Sequence, residues 1–400
     1  MPFSEIHTIG PPQPTEIEVC VFGPSFGECI IVHLGNGHWV VFDSCMNHDG
    51  SEPVALSYLN ALGLAPASAI KAIVATHWHN DHCKGLARIV GAAPAAYVWI
   101  SSALTTPEFF RFAKRMGKNK TTVAGTKLSE FESVIDEIAA RNKAGLLTFG
   151  YASSRMPMVK IDAKLSGHGW PCEVTGLSPS PGDTLNFLTR IAAQMPRVRQ
   201  TKHSVPSPSP NDVSVATLVT IGPLSILLGA DLEKTGSQTT GWNAVIAAHH
   251  QIPFGPNNAS LYKIAHHGSE NAHSLELWQE LLEPNPFAVL TPWRNGSGRL
   301  PTGAGITNIM TETKRALATA SEARTRRPLK ERPPGVLRFL RENNIRIRSL
   351  TAPFGCVRFR MPNLQSGTWN VEFRIRMHAS RIGSHEGVSL IRPALADPAG

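Results

Sequence analysis

Apolar and polar residues alternate with period two near the start of the chain, where EIEVCVFG and ECIIVHL read as strands. Leu34-Gly35-Asn36-Gly37 supplies turn residues able to take positive φ, and HWVVFD returns as a third strand with Asp43 at its C-terminal end. A helical stretch follows around Val54 to Leu62. The run Ala69 to Ala75 is then a short buried strand that ends at a cluster of histidines, and Gly85 to Val90 reads as the next helix. Residues 103–145 carry Phe109, Phe110, Phe112, Phe131, Val134, Ile135 and Ile138 at helical spacings, with Lys114, Arg115, Lys118 and Lys120 between them. These aromatic residues are read as core. Ser178 to Pro210 is rich in Pro and Ser and reads as a loop excursion. Strand-like runs resume at Val213 to Ile221, Leu224 to Leu228, Leu261 to Ala265 and Ala288 to Thr291, with a helix from Leu275 to Leu282. Alternation of this kind indicates a layered α/β protein. Residues 302–349 read as mostly helical, interrupted by the basic loop ARTRRPLKERPPG. The tail then alternates as Val357, Phe359, Met361 and Val371, Phe373, Ile375. That is a hairpin pattern, with Arg358, Arg360, Arg374 and Arg376 on the opposite face.

With 400 residues, 42% of them hydrophobic and 17% charged, the chain can bury one large core. We therefore expect a loose lead-in over 1–16, one domain over 17–362 with a helical and loop excursion at 103–210, and an Arg-rich hairpin and tail over 363–400. No run approaches the ~18 apolar residues of a membrane span, and the first residues lack the basic and apolar regions of a signal peptide. The expected location is the cytoplasm, with no membrane partner. Cys20, Cys29, Cys45, Cys83, Cys172 and Cys356 are scattered without a CxxC pair, which suits reduced, buried thiols better than a disulfide framework. The net charge of +9 is unevenly spread. Residues 1–310 carry 22 Lys and Arg against 23 Asp and Glu, whereas 311–400 carry 17 against 7. Such a basic quarter suits a polyanion such as DNA or RNA, and a solvated basic surface is the alternative reading.

The segment Thr76-His77-Trp78-His79-Asn80-Asp81-His82 concentrates the chemistry. At the end of a strand, His77 and His79 can turn toward one point while Asp81 and His82 face a second point close by. Imidazoles and carboxylates are the ligands expected for zinc or a similar divalent ion. Four such groups within six residues are hard to explain as packing, and Trp78 and Asn80 are left with packing and loop roles.

This HxHxDH pattern resembles the signature of the metallo-β-lactamase superfamily, and further matches follow in order. Asp43 ends an early strand. Gly229-Ala230-Asp231 closes the strand ending at Leu228, where the family places an aspartate bridging two metals. His266-His267-Gly268-Ser269 follows the next strand, where the family places its last histidine. Within the superfamily, Gly27-Glu28-Cys29-Ile30-Ile31-Val32 and Leu261-Tyr262-Lys263-Ile264-Ala265-His266-His267-Gly268-Ser269 are similar to segments of the nuclease-like domain of ComEC-type DNA-uptake proteins. Pro286 to Leu290, Leu300-Pro301, Thr351 and Gly355-Cys356-Val357 extend that likeness. There are departures. Glu28 stands where that group usually has Asp, and Cys29 where it usually has Ser. The family's third motif, a lone histidine before a strand, is replaced by Asn211 and Asp212, while His203 and His168 read as ordinary loop residues.

The resemblance implies a four-layer αββα sandwich and one or two zinc ions, or another divalent metal. His77 and His79 would hold one ion, Asp81, His82 and His267 the other, and Asp231 would bridge them. Neighbouring side chains of an extended segment point oppositely, so only one of His266 and His267 would face the metal; the likeness to the His-Gly ending of superfamily members favours His267, with His266 behind the ligands or against the substrate. Asp43 is read as orienting a ligand histidine. Asp81 and His267 are the catalytic candidates, and Lys84, Lys263 and Ser269 the candidates for contact with an anionic substrate. A metal-activated water would be the nucleophile. Hydrolysis of a phosphodiester leads these expectations. A hydrolase of a small ester, thioester or lactam comes next, followed by a regulatory module with a degenerate site. No P-loop, nucleophile elbow or Rossmann glycine fingerprint is present in a suitable context.

Overall fold

Two eight-stranded sheets lie face to face, as seen in a computed structural model. It describes residues 10–23, 27–47, 50–104, 129–146, 148–194, 209–251, 257–295, 298–320 and 355–373, together with 335, 338, 339, 342, 380 and 381. The first sheet begins with β1 (Ile17–Gly23), β2 (Cys29–His33) and β3 (Trp39–Phe42), an antiparallel set. The turn between β2 and β3 is possible because Gly35, Asn36 and Gly37 all take positive φ. Next come β4 (Ile70–Ala75), β5 (Tyr97–Ser101) and β6 (Phe149–Ala152), all parallel to β3.

The second sheet is built from β7 (Met156–Ile161), β8 (Cys172–Gly176), β9 (Thr217–Ile221) and β10 (Leu224–Leu228), which run antiparallel in sequence. It continues through β11 (Ala259–Lys263) and β12 (Leu282–Leu290), parallel to β10. A separate two-stranded ribbon, β13 (Trp293–Asn295) and β14 (Gly298–Leu300), precedes β15 (Ala316–Ala318), which joins β12 in parallel. The chain then returns to the first sheet, where β16 (Gly355–Met361) pairs with β1 and β17 (Asn370–Phe373) pairs with β16. The short β18 (Ser380–Arg381) lies against β15.

Alternation along the strands explains the layers. Val19, Val21, Ile30, Val32, Val40 and Val74 of one sheet meet Val174, Val219, Ile226, Leu228, Leu261 and Val289 of the other in the central apolar core. Opposite side chains of the first sheet, such as Ile31, Val41 and Ile73, pack against α1 (Val54–Ala61) and the later helices Leu86–Ala92 and Ser129–Lys143. Those of the second sheet, such as Leu218, Leu227 and Tyr262, pack under Gly241–Ala247, Leu275–Glu280 and Gly303–Glu312. The layer order is therefore helix, sheet, sheet, helix.

Several expectations are corrected. Pro181–Gln194, within the segment read as a loop, is a helix. Ser180 and Asp183 form a reciprocal cap there: Asp183 N–H donates to Ser180 Oγ at 3.0 Å, and Ser180 N–H to Asp183 Oδ2 at 2.9 Å. Ala316–Ala318, read as helical, is a buried strand. Strands β6, β7 and β8 have no counterpart in the sequence reading; exposed or half-buried positions blur the alternation of β6 and β7, whereas β8 is buried at all but Glu173. Arg358 and Arg360 are not a free basic face. Arg358 pairs with Glu372, and Arg360 makes a two-point contact with the fully buried Glu18, which also accepts from Tyr58 Oη at 2.6 Å. The readings on Phe109, Phe110, Phe112, Lys114, Arg115, Lys118, Lys120, His203, Thr351, Arg374, Ile375, Arg376 and most of the basic loop lie outside the described residues. Among the described residues, no helix is long and apolar enough to cross a membrane. All six cysteines are buried and free.

Candidate metal centre

Two parallel sets of strands, β3 and β4 in one sheet and β10, β11 and β12 in the other, are each followed within four residues by a polar side chain of one connected cluster. Asp43 follows β3, His77 follows β4, Asp231 follows β10, His267 follows β11 and Thr291 follows β12. The carboxyl ends of parallel strands are where such sheets place their ligand crevices, because the loops there are free of packing duty. Tight turns deliver the residues. Asp43, Ala230, His266 and His267 all adopt positive φ, a conformation that reverses the chain as it leaves the strand.

The side chains form three overlapping groups whose ligand atoms lie within 4.8 Å of one another. They are His77, His79 and Asp231; Asp81, His82 and His267; and Asp43, His77 and His82. Asp231 is central. Its Oδ2 lies 3.6 Å from His77 Nε2 and 3.8 Å from His267 Nε2, and its Oδ1 lies 3.4 Å from His82 Nε2. Asp81 Oδ2 is 3.3 Å from His267 Nε2, and His79 Nδ1 is 3.1 Å from His77 Nε2.

Asp43 has a different role. Its carboxylate accepts from Thr76 N–H at 2.8 Å, from Thr76 Oγ1 at 2.7 Å and from His82 Nδ1 at 2.7 Å, so both oxygens are already occupied. It orients the His82 ring and leaves Nε2 facing Asp231. The hydroxyl of Ser214 joins the same shell, accepting from Asp231 N–H at 3.1 Å and lying 3.4 Å from His77 Nδ1.

The arrangement fits a cation on a direct criterion. His82 Nε2, His267 Nε2 and Asp231 Oδ1 are buried polar atoms with no hydrogen-bond partner, and all three belong to the cluster. Buried polar atoms are ordinarily satisfied, so three orphans around one point call for a group that accepts lone pairs. Imidazole nitrogen and carboxylate oxygen are a suitable donor set for zinc and similar divalent ions. Protonation reflects the crowding of charge. Burial pushes His77 well below the ordinary imidazole value and also lowers His79. For His82 and His267, burial acts downward but the neighbouring carboxylates, Asp231 above all, outweigh it and raise both. Asp81 and Asp231 are held below the usual carboxylate range: burial opposes this, and the facing His82 and His267 overcome it.

The remaining candidates divide. His266 is kept out of the three groups. Its Nδ1 lies 3.1 Å from Asn271 Oδ1 and 3.2 Å from Glu233 Oε1, and its Nε2 lies 3.2 Å from Asn211 Nδ2. The expected reason for separating the two histidines was an extended backbone. Instead both residues are left-handed, with φ of 44° and 52°. Asn211 donates to Glu233 Oε1 at 2.8 Å while its Oδ1, also buried, has no partner. Asp212 turns away and pairs with Arg190.

Lys263 is corrected outright. It is 0% exposed and ion-paired with Glu28, so it meets no substrate. Lys84 is exposed and Ser269 half-buried. His168 lies far in role from the cluster, its ring held by Leu34 O at 3.0 Å. Trp78 packs against Phe187. The sequence reading gave no role to Thr76, Ser214, Glu233, Asn271 and Thr291. Thr76 opens the histidine segment itself; the other four carry no motif, and only the folded chain brings them to the rim.

The family model of the metallo-beta-lactamase superfamily matches residues 22–210. No curated protein matches the sequence. Among solved structures, the chain is similar to the metallo-beta-lactamase fold protein YhfI from Bacillus subtilis, at 13% identity over 77% of this chain and 96% of that one, with a TM-score of 0.38. It is also similar to a HARLDQ-motif mutant of a metallo-beta-lactamase from Cronobacter sakazakii, at 15% identity over 60% and 69% of the two chains, with a TM-score of 0.30. A third similar structure is the CmlA beta-hydroxylase, at 13% identity over 64% and 36%, with a TM-score of 0.32. Residues 22–210 thus match the metallo-β-lactamase superfamily model, and the paired sheets between helical layers are the metallo-β-lactamase fold.

Proposed function

We propose that this protein is a metal-dependent hydrolase and that its substrate is a phosphodiester. The observation that carries the hydrolase reading is the convergence of His77, His79, Asp81, His82, Asp231 and His267, with three unsatisfied buried atoms facing one another. His77, His79 and Asp231 would hold one ion, and Asp81, His82, His267 and Asp231 a second. A divalent ion bound there lowers the pKa of a coordinated water and polarises the bond under attack.

The chain's own residues do the rest. Asp81, kept ionised by the imidazoles beside it, accepts a hydrogen bond from the attacking water and orients it. Asp43 holds the His82 ring through Nδ1, and Thr76 holds Asp43, so that His82 Nε2 is directed inward and is the nitrogen a bound ion would take. Glu233, Asn211 and Asn271 fix the partly buried His266 ring beside the cluster.

The diester reading is supported by the likeness of Gly27 to Val32 and Leu261 to Ser269 to the ComEC-type nuclease-like domain. It is further supported by the meeting of those two segments in space through Glu28 and Lys263. Lys84, exposed and two residues after His82 in the chain, is the candidate cation for a phosphate.

The test is hydrolysis of bis(p-nitrophenyl) phosphate and of single- and double-stranded DNA and RNA by zinc- or manganese-loaded protein, beside a chromogenic lactam and a thioester. Cleavage of diesters that is lost in the His79→Ala and Asp81→Ala variants is the expected result. Turnover of the lactam or thioester alone would move the protein to small-molecule hydrolysis. Inertness toward every substrate, with well under one ion bound per chain, would make the site degenerate.

A further inference from the structure

Beneath the cluster, Lys263 Nζ lies 2.5 Å from Glu28 Oε1, and both side chains are essentially inaccessible to solvent. A buried ion pair is a poor way to stabilise a core, because desolvating two charges consumes most of their attraction and an apolar pair often does as well. Its position is more informative than its energy. Glu28 backbone N–H donates to the carbonyl of Asp81 at 2.7 Å. Lys263 Nζ lies 3.4 Å from the carbonyl of Ala230, the left-handed residue just before Asp231. The second carboxylate oxygen of Glu28 accepts a short hydrogen bond from Thr291 Oγ1, and His267 Nδ1 lies 2.9 Å from both Thr291 Oγ1 and Thr291 O. One ion pair therefore touches the segments that present Asp81, Asp231 and His267.

The direction of these bonds is fixed by chemistry. A carboxylate only accepts, so the Thr291 hydroxyl proton is committed to Glu28. The hydroxyl oxygen and the Thr291 carbonyl are then both acceptors toward the imidazole. In its neutral form, the form a metal ligand takes, His267 therefore carries its proton on Nδ1 and turns the Nε2 lone pair toward Asp81 and Asp231. That is the state a metal ligand needs, and His267 Nε2 is one of the three orphaned atoms.

We infer that Glu28, Lys263 and Thr291 form a buried positioning relay that sets the tautomer of His267 and the spacing of Asp81 and Asp231, preorganising the centre for its cation. The inference rests on the metal-centre reading but not on the substrate. It also gives a reason for the carboxylate at position 28, where Glu replaces the Asp usual in the similar domains and still reaches Lys263.

The experiment measures zinc affinity by competition with a chromophoric chelator, alongside urea unfolding of the metal-free protein. It covers wild type, Glu28→Gln, Lys263→Met, the double variant, Lys263→Arg and Thr291→Val. Each single charge removal is expected to weaken zinc roughly 10- to 100-fold, the range typical of residues that orient metal ligands. The double variant leaves no uncompensated charge, so it should recover most of the folding stability while its zinc affinity stays low. Lys263→Arg keeps the charge and should retain affinity better than Lys263→Met. Thr291→Val, which removes only the hydroxyl, keeps the test open should the charge variants fail to fold.

Wild-type affinity in the double variant or in Thr291→Val would overturn the relay, as would an affinity loss that merely tracks lost stability. A wild-type protein that binds no zinc or manganese would instead overturn the metal-centre reading itself.

Discussion

Replacing Asp43 by Asn tests the geometry of the centre with the smallest available change. The side chains have nearly the same shape, and Asn tolerates the left-handed backbone at this position, where φ is 57°. Three hydrogen bonds are at stake: from Thr76 N–H at 2.8 Å, from Thr76 Oγ1 at 2.7 Å and from His82 Nδ1 at 2.7 Å. If the carboxamide oxygen keeps the Thr76 N–H, its NH2 group takes the place of Oδ2. Thr76 can respond by rotating its hydroxyl. His82 can respond only by turning Nδ1 into an acceptor, which transfers its proton to Nε2.

That atom lies 3.4 Å from Asp231 Oδ1 and otherwise has no partner, so the proton would occupy the cation's place. An incoming ion must then displace it. Loss of a residue that orients a metal ligand typically costs about 10- to 100-fold in affinity, or about 1.4–2.7 kcal/mol. The metal-free fold should lose less than about 3 kcal/mol, the worth of one hydrogen bond to a charged group. The assay is isothermal titration of zinc into wild type and Asp43→Asn near neutral pH, with circular dichroism to establish that both are folded. A folded variant that binds zinc within about twofold of wild type would refute the reasoning, and with it the assignment of Asp43 as the residue that sets the His82 tautomer.

Other predictions follow from single features. His267→Ala should weaken zinc binding far more than His266→Ala, since only His267 lies in a ligand group; equal losses in the same titration would contradict that division. Chelation should destabilise the protein: metal at about 100 times its dissociation constant adds about 2.7 kcal/mol, so melting temperature should fall with EDTA and recover with zinc, and an unchanged melt would count against a built site. His33 is buried and neutral, with Nδ1 on Glu16 O at 2.9 Å and Nε2 accepting from Gly37 N–H at 3.0 Å, and burial lowers it from 6.5 to about 4. Between those values the unfolded chain holds the proton and the folded chain does not. Stability is therefore complete above the unfolded value and falls by about 3 kcal/mol as pH drops through the window. Urea unfolding across that range should show the fall in wild type, and an equal fall in His33→Gln would assign it to other groups. Arg360→Ala strands the carboxylate of Glu18 in the core and should cost about 3–5 kcal/mol in urea unfolding, whereas a loss below about 1 kcal/mol would mean that the pair does not fasten β16.

By itself, the sequence determined the strands whose apolar residues alternate or run together, the turn at Leu34 to Gly37, and the compact ligand set from His77 to His82. Those features depend on neighbours a few residues apart, and local spacing encodes them. The resemblance to the metallo-β-lactamase signature, not local spacing, marked Asp231 and the His266-His267 pair as strand-end residues of metal-binding type. A local signal was present but overlooked at Ser180-Pro181-Gly182-Asp183, whose capping box and early proline announce the helix Pro181–Gln194.

Only the tertiary structure decided the rest. Left-handed backbone at both residues, rather than strand alternation, turns His267 inward and leaves His266 to Glu233 and Asn211. Lys263 carries the same charge and composition as a surface lysine, and nothing near it in the chain distinguishes the two. It becomes a buried partner because Glu28, 235 positions earlier, reaches it from the opposite sheet. Arg360 likewise looks like part of a basic face until Glu18 and Glu16 are found beside it. Charge and burial are settled by long-range packing, so the roles of lone charged residues are invisible to local pattern, while the ligand motif is legible because its members are near neighbours.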